Sequence, residues 1–140
     1  MIVDERALLA EKASAVERHL RRVADRLPAD VAQFQPGTDA SDAVVLHLWQ
    51  AVQIAIDLAV SQCVRRHLGT PQSYREAFER LARANLVPSD LAERMARAAG
   101  FRNAVAHAYE GLDMKRVHAA ATSGPADLRA FLACLRDAPP

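Results

Sequence analysis

The stretch VVLHLWQAVQIAIDLAVSQCV, residues 44–64, decides the fold of this chain. Apolar side chains would occupy nearly every face of a helix built from it, so that helix must be covered on several sides. The flanking residues extend the predicted helix over 42–68, with Asp39 or Ser41 as its cap and Gly69 just past its end. We therefore expect a long helix in the middle of a bundle, with some of its surface left for a partner.

Four further segments have helical patterns. Between residues 4 and 27 an apolar residue recurs every three or four positions, at Leu9, Ala13, Val16, Leu20, Val23 and Leu27. Ser73 and Glu76 form the capping box of a third helix, Ser89 caps a fourth, and a fifth covers 114–135 with a kink or restart at Gly124 and Pro125. The sequence shows no strand alternation or internal repeat. It predicts a single all-α domain over residues 1–140, an up-and-down helical bundle of about five helices.

Composition limits the possible functions. A net charge of +1 provides no general basic field for coating nucleic acid, although 16 arginines among 18 basic residues leave room for a local phosphate site. Cys63 and Cys134 lack a CxxC spacing and are predicted to be reduced, buried thiols. The start, MIVDERALLAEK, lacks a signal-peptide core, and no run of about eighteen apolar residues offers a membrane span. We expect a cytoplasmic protein that does not enter a membrane.

The second informative stretch is GFRNAVAHAY, residues 100–109, which places four polar side chains among alanines and a valine. On a helix Asn103 and His107 are i and i+4 and share a face, toward which the long Arg102 side chain can reach back. Tyr109 lies where the helix should end, so its hydroxyl is predicted to be accessible. From the residue types alone, a structural polar network and a functional site both stay open, because Arg-x4-His is a short pattern.

An arginine and a histidine together suit RNA cleavage that uses the substrate's own 2′-hydroxyl as the nucleophile. Histidine can transfer protons near neutral pH, and arginine can bind phosphate oxygens and stabilise the charge of a phosphorane. This reaction needs no metal, and the sequence has no HExxH motif, acidic cluster or Cys/His set. One histidine is few for two proton transfers, so we expect a symmetric homodimer that brings two motifs to one cleft.

Two ionisable residues of the apolar helix need an explanation. Asp57, within AIDLAV, is costly to bury unless it is paired, so it is either a structural anion or part of a polar site. His47 is interpreted as a satisfied histidine at the core or its edge.

GFRNAVAHAY, together with AVQIAIDLAVSQCV, PQSYREAFERLARANLVPSDLAERMARAAG and the closing DLRAFL, resembles the HepT-like branch of the HEPN proteins over nearly the whole chain. The most specific part is R-x4-H-x-Y, matched by Arg102, His107 and Tyr109. The resemblance implies a homodimeric helical bundle that is a metal-independent endoribonuclease, the toxin of a toxin–antitoxin pair. It implies that Arg102 and His107 are the catalytic pair, and that Asn103 and Asp57 shape the site.

The resemblance also implies control by a protein partner. Tyr109 matches the tyrosine that a MntA-like minimal nucleotidyltransferase antitoxin modifies with AMP, using ATP, while the toxin itself needs no cofactor. A bulky anionic adenylyl group there would obstruct the cleft and repel RNA. One alternative is a non-catalytic helical subunit that binds nucleotide or substrate for such a nucleotidyltransferase. Another is a plain dimeric bundle in which Arg102 and His107 only brace helix ends.

Overall fold

The structure is a computed structural model that describes residues 4–140, so residues 1–3 of the predicted domain lie outside the described part. Residues 4–140 form five α-helices: α1 (Glu5–Arg26), α2 (Asp39–Arg65), α3 (Tyr74–Arg83), α4 (Ser89–Ala108) and α5 (Met114–Asp137). Short 3₁₀ turns follow α1 and α4, at Val31–Gln33 and Tyr109–Gly111. Because no strand occurs within these described residues, the predicted all-α bundle of about five helices is confirmed.

Helix α2 is the central element of the bundle and packs against α1, α3, α4 and α5. Ten of its side chains are buried, among them Leu48, Val52 and Ile56. In the same core, Phe78 of α3 meets Phe131 of α5 edge to face, with ring centroids 5.4 Å apart. Packing on several sides explains why α2 is apolar almost all round.

The apolar stripe predicted for the first helix is confirmed by α1. Its buried positions are Val16, Leu20 and Val23, and Leu9 and Ala13 pack against the core from partly buried positions. The Asp4 carboxylate caps the helix by accepting a hydrogen bond from the backbone N–H of Arg6 at 3.0 Å. The helix ends at Arg26, two residues before Pro28.

The start of α2 differs from the prediction. Its cap is Thr38, whose hydroxyl accepts from the Ser41 backbone N–H at 3.0 Å, while the Ser41 hydroxyl accepts from the Thr38 N–H at 3.1 Å. This reciprocal pair satisfies two backbone donors at once. Asp39 and Ser41, the predicted caps, therefore lie inside the first turn.

The end of α2 also differs from the prediction. The helix stops after Arg65, and His67 takes the left-handed conformation (φ 57°) that was expected only of Gly69, whose φ is 93°. The Leu68 N–H then bonds back to the Cys63 carbonyl at 2.9 Å, the closing bond of a Schellman motif. The predicted end was too late because this motif places a histidine, not the glycine, at the turning position.

Of the two caps predicted for α3 and α4, Ser73 is confirmed, although the return bond of its predicted capping box comes from Gln72 and not from Ser73. Ser73 accepts from the Glu76 backbone N–H at 3.1 Å, and the Glu76 carboxylate accepts from the N–H of Gln72 at 2.9 Å. The cap of α4 was predicted wrongly, because Pro88 is the capping residue and Ser89 is the first residue of the helix, with no side-chain capping bond. Proline at the cap already removes one backbone donor that would otherwise need a partner.

Helix α5 is continuous, so the predicted kink or restart at Gly124 and Pro125 is wrong. Pro125 lacks the backbone N–H that would bond to the carbonyl of Ala121. Ala121 and Leu128, on either side of the proline, are both buried in the core. Packing of both halves on the same core holds α5 in one helix.

Both cysteines are free thiols, as predicted. Cys63 is buried on α2 and donates to the Ala77 carbonyl at 3.4 Å, while Cys134 of α5 is half-buried. Burial raises the pKa of both thiols. Each therefore acts as a small apolar side chain of the core.

One helix of the described residues, Asp39–Arg65, is long and apolar enough to cross a membrane by length and composition alone. A core helix meets the same two criteria, and the side chains of α2 are partly covered by four other helices. The expectation that no segment enters a membrane, and that the protein is cytoplasmic, stays a prediction.

Candidate active site

Helix α4 carries the Arg-x4-His-x-Tyr motif at its C-terminal end. In its last turns only Phe101 and Val105 pack against the core, from partly buried positions, while Asn103 and His107 are exposed. The alanines between them favour a helix and cover little surface. The polar side chains of the motif are therefore displayed at helical spacing at one end of the bundle.

The Arg102 side chain is held against α2 and α3. Its Nε–H donates to Oε1 of Gln53 at 2.6 Å. The guanidinium carbon lies 5.7 Å from the ring centroid of Trp49 and 5.6 Å from that of Tyr74, within the range of cation–π attraction. Two aromatic rings and one amide thus fix the plane of the guanidinium while leaving part of it exposed.

Gln53 connects Arg102 to Asp57. The Gln53 Nε2 donates to Oδ1 of Asp57 at 2.9 Å, one turn further along α2. A guanidinium only donates and a carboxylate only accepts, so these two partners fix the orientation of the amide. Asp57 is exposed and hydrogen-bonded, which gives the carboxylate in AIDLAV an indirect link to the motif arginine.

The structure brings Arg102 to Asn103 but not to His107. An Nη1–H of Arg102 donates to Oδ1 of Asn103 at 3.3 Å. His107 is exposed and makes no side-chain hydrogen bond among residues 4–140. Positions i and i+5 on a helix lie about 140° apart around the axis, so Arg102 and His107 point in different directions. Within one chain no hydrogen bond joins the two members of the catalytic pair implied by the resemblance, and their backbone positions face different sides of α4.

Tyr109 opens the 3₁₀ turn that follows α4, and its side chain is 46% exposed. Its hydroxyl is not free, because it donates to Oδ1 of Asp42 in the first turn of α2 at 2.6 Å. This hydrogen bond, together with burial and the negative charges of Asp42 and Glu110, raises the pKa of Tyr109 to about 12. The residue is exposed, but the hydroxyl that was predicted to be accessible is hydrogen-bonded to a carboxylate.

His47 lies at the edge of the core, as interpreted from the sequence. Its Nδ1 is 3.0 Å from Nδ1 of His19 on α1, so one ring donates and the other accepts. Burial lowers the pKa of both rings, and the charge of Arg22 adds to the effect. The pair is a structural contact between α1 and α2.

Sequence reasoning missed four residues of this region: Asp42, Trp49, Gln53 and Tyr74. Trp49, Gln53 and Asp57 follow one another at i, i+4 and i+8 on α2, and that spacing was the available signal. The indole Nε1 of Trp49 is buried and has no hydrogen-bond partner in the described chain. Among residues 4–140, no three histidine, cysteine or acidic side chains are grouped so that they could hold a metal ion.

Known structures share this fold. The tri-AMPylated Shewanella oneidensis HEPN toxin, solved in complex with an MNT antitoxin, matches 97% of this chain and 100% of its own chain, with a TM-score of 0.84 and 25% identity. A toxin–antitoxin complex with AMP-PNP gives a TM-score of 0.85 at 25% identity, over 94% of this chain and 99% of the other. The fold, together with the motif at the end of α4, is that of the HEPN class of helical proteins.

The family comparison is more specific. A family model described as ribonuclease HepT-like matches residues 16–135, and the chain belongs to this HepT-like family. The mRNA nuclease HepT of Shewanella oneidensis is 29% identical over 107 residues, which are 76% of this chain and 80% of the relative. The resemblance drawn from the sequence is thereby confirmed. The individual roles of Arg102, Asn103, His107, Tyr109 and Asp57 stay predictions.

Proposed function

We propose that this protein is a metal-independent endoribonuclease toxin whose Arg102 and His107 carry out RNA cleavage. The observation that carries the proposal is the setting of Arg102. Its guanidinium is fixed by Gln53 between Trp49 and Tyr74 at the surface, in a chain of the HepT-like ribonuclease family. Arg129 pairs with the carboxylate of Glu17 at 2.7 Å, whereas Arg102 pairs with no carboxylate among residues 4–140, so its charge is available to an anionic ligand.

The cleavage step uses the 2′-hydroxyl of the RNA as its nucleophile. The 2′-oxygen attacks the adjacent phosphorus and the bond to the 5′-oxygen of the next nucleotide breaks. His107 accepts the proton of the 2′-hydroxyl and returns it to the departing 5′-oxygen, and Arg102 stabilises the charge that develops on the phosphate oxygens. Because the nucleophile belongs to the substrate, the reaction needs proton transfer and charge stabilisation only, and no metal has to activate a water.

A second copy of the chain brings a histidine to each arginine. Arg102 and His107 are about 140° apart around α4, so the histidine that serves a given arginine comes from the partner protomer of a homodimer. Two apolar side chains on the open face of α2 support such an interface, Leu46 at 49% exposure and Val64 at 55%. Asn103 and Asp57 then shape the cleft through their links to Arg102 and Gln53.

Tyr109 is the control point of the proposed activity. A MntA-like nucleotidyltransferase partner transfers AMP from ATP to its hydroxyl, as the modified state of the Shewanella oneidensis toxin suggests. The ring is half exposed at the end of α4, two residues beyond His107. Phosphodiester charge and bulk at this position would repel RNA and obstruct the histidine. With a net charge of only +1, the protein relies on local arginines for RNA binding, so such a local change is effective.

The test is RNA cleavage by matched histidine variants in the presence of a chelator. His107→Asn should lower cleavage of total RNA by about 100-fold or more, because a proton-transfer group is lost. His67→Asn is the control, since His67 is also exposed and asparagine tolerates its left-handed backbone. Circular dichroism should show the same helix content for both variants.

The possible outcomes separate the candidate functions. Cleavage in chelator that depends on His107 supports the nuclease. Full toxicity and full cleavage by His107→Asn would show that the catalytic assignment is wrong. No cleavage by the wild-type dimer under any condition would favour the non-catalytic subunit that binds nucleotide or substrate for a nucleotidyltransferase.

A further inference from the structure

The hydrogen bond between Tyr109 and Asp42 joins residues that are 67 positions apart in the sequence. Its oxygen–oxygen distance of 2.6 Å is in the range of charge-assisted bonds from a hydroxyl to a carboxylate. Asp42 belongs to the first turn of the central helix α2, whereas Tyr109 lies on the 3₁₀ turn after α4. A rigid element therefore holds a carboxylate against the hydroxyl of the exposed tyrosine.

Resting on the proposed modification of Tyr109, we propose that Asp42 is the general base for transfer of AMP to that residue. In this step a bond forms between the Tyr109 oxygen and the α-phosphorus of ATP. The bond from that phosphorus to the bridging oxygen of pyrophosphate breaks, and pyrophosphate leaves. The hydroxyl proton passes along the existing hydrogen bond to the Asp42 carboxylate and then to solvent.

The reaction requires that the Tyr109 hydroxyl lose this proton. With its pKa raised to about 12, the Tyr109 hydroxyl is almost fully protonated at neutral pH, and a neutral phenol is a weak nucleophile. A base in contact with the hydroxyl accepts the proton as the new bond to phosphorus forms. Asp42 is the one hydrogen-bond partner of this oxygen among residues 4–140.

The space beside the Tyr109–Asp42 pair is lined by apolar and acidic side chains. A cavity of about 360 Å³ adjoins the pair, with an apolar lining that includes Val45, Leu112 and Met114. Its charged lining residues are Asp42, on α2, and Glu110, on the 3₁₀ turn. Both carboxylates line the same cavity, but only Asp42 is hydrogen-bonded to the Tyr109 hydroxyl.

The experiment compares matched carboxylate variants. Purified wild-type, Asp42→Asn and Glu110→Gln proteins are mixed with a MntA-like nucleotidyltransferase and radiolabelled ATP, and the initial rate of AMP incorporation is measured. Asp42→Asn should slow incorporation by about 100-fold. Glu110→Gln removes the same charge from the same cavity and should slow it less than about twofold. Mass spectrometry of peptides, with Tyr109→Phe as a reference, identifies the modified residue.

A pH profile distinguishes a base from a structural contact. Without its carboxylate partner, the pKa of Tyr109 falls back toward the ordinary value of about 10. The residual rate of Asp42→Asn should then rise about tenfold per pH unit between about pH 7 and 9, because only the ionised phenol reacts. The wild-type rate should be nearly constant over the same range. Asp42→Glu, which keeps a carboxylate within reach, should recover part of the rate.

Each result decides the proposal. A rate of Asp42→Asn equal to that of the wild type, with modification still at Tyr109, overturns the role of Asp42 and leaves the proposed function standing. If Asp42→Asn and Glu110→Gln slow AMP incorporation equally and have the same pH profile, the proposal is also overturned. The effect would then come from the lost negative charge and not from a base in contact with the hydroxyl. A wild-type protein that is modified elsewhere, or not at all, overturns both this inference and the proposed control at Tyr109.

Discussion

Arg102 is held by three side chains from two other helices, which places its guanidinium before any substrate arrives. A fixed donor group loses little entropy when it binds a phosphate, and its planar fork suits two phosphate oxygens. Trp49 and Tyr74 contact the arginine through their rings, whereas Gln53 sets its direction through a hydrogen bond of 2.6 Å. Gln53 is therefore the residue through which the position of Arg102 can be tested.

Gln53→Met is expected to lower RNA cleavage by about 100-fold, because it keeps the length of the side chain but lets the guanidinium shift by about 1 Å. Single-turnover cleavage of a defined RNA measures this effect. The free energy of unfolding should fall by no more than about 1 kcal/mol, since water can replace the lost bonds at this half-exposed position. Gln50→Met is the control, because Gln50 is also half-buried on α2 and makes no side-chain hydrogen bond in the described residues.

Unchanged cleavage by Gln53→Met would mean that Arg102 works without its hydrogen bond to Gln53. A matching loss in Gln50→Met would instead indicate a general effect on the α2 surface. Either result would remove Gln53 from the site while leaving His107 to be judged by its own variant.

The sequence identified the residues of the motif but not their supports. Arg102, His107 and Tyr109 were found because they are close together in the chain and match a family pattern. Gln53 is 49 positions from Arg102, and Asp42 is 67 positions from Tyr109. Which side chains of α2 face the end of α4 depends on how the two helices pack, and a single sequence does not contain that register.

The helix termini allow a test at the scale of single elements. Ser73 accepts a hydrogen bond from the Glu76 backbone at 3.1 Å, so Ser73→Ala should cost about 1 kcal/mol of stability. Ser89 follows the actual cap, Pro88, and makes no capping bond, so Ser89→Ala should change stability by less than about 0.5 kcal/mol. Urea unfolding followed by circular dichroism measures both values with the wild type as reference.

A cost for Ser89→Ala as large as that for Ser73→Ala would contradict the cap at Pro88. It would mean that α4 begins one residue later in solution, with Ser89 as its cap. Because α4 carries the motif at its other end, a shift of its start would leave the position of Arg102 unchanged, and RNA cleavage should be the same in both variants.

The predicted helices were correct because the apolar periodicity of α1 and the apolar composition of α2 depend on burial, which extends over many residues. Their ends were predicted less well because each depends on one or two local hydrogen bonds. The Thr38–Ser41 pair, the left-handed His67 and the cap at Pro88 each replaced an equally plausible neighbour. Pro125 does not interrupt α5, because residues on both sides of it pack in the core.

At the scale of the whole molecule, the direction of the motif side chains determines how the proposed dimer works. Arg102 points to α2 and α3, while His107 points to solvent about 140° away around the helix. In a two-fold symmetric dimer, each arginine can therefore face the histidine of the other protomer. The bundle is then half of each active site, and neither chain alone is expected to cleave RNA.

This arrangement predicts complementation between two inactive variants. Arg102→Ala and His107→Ala dimers should each be inactive, but mixing and re-forming the dimers should restore cleavage. A mixed dimer contains one site with an intact Arg102 from one protomer and an intact His107 from the other, and one site with neither. With equal mixing, half of the dimers are mixed and half of their sites are intact, so about a quarter of the wild-type activity is expected.

Different tags on the two variants allow the mixed dimers to be purified and assayed alone, where about half of the wild-type activity is expected. A purified mixed dimer without activity would contradict a site divided between protomers, because intact Arg102 and His107 would be present in one molecule and yet fail to act. Two preparations of the wild-type chain, each with one of the two tags, are taken through the same mixing and control for loss of activity during exchange. Activity in the mixed dimer, but in neither parent, would require that the two side chains meet across the two-fold axis, since no single chain in it carries both.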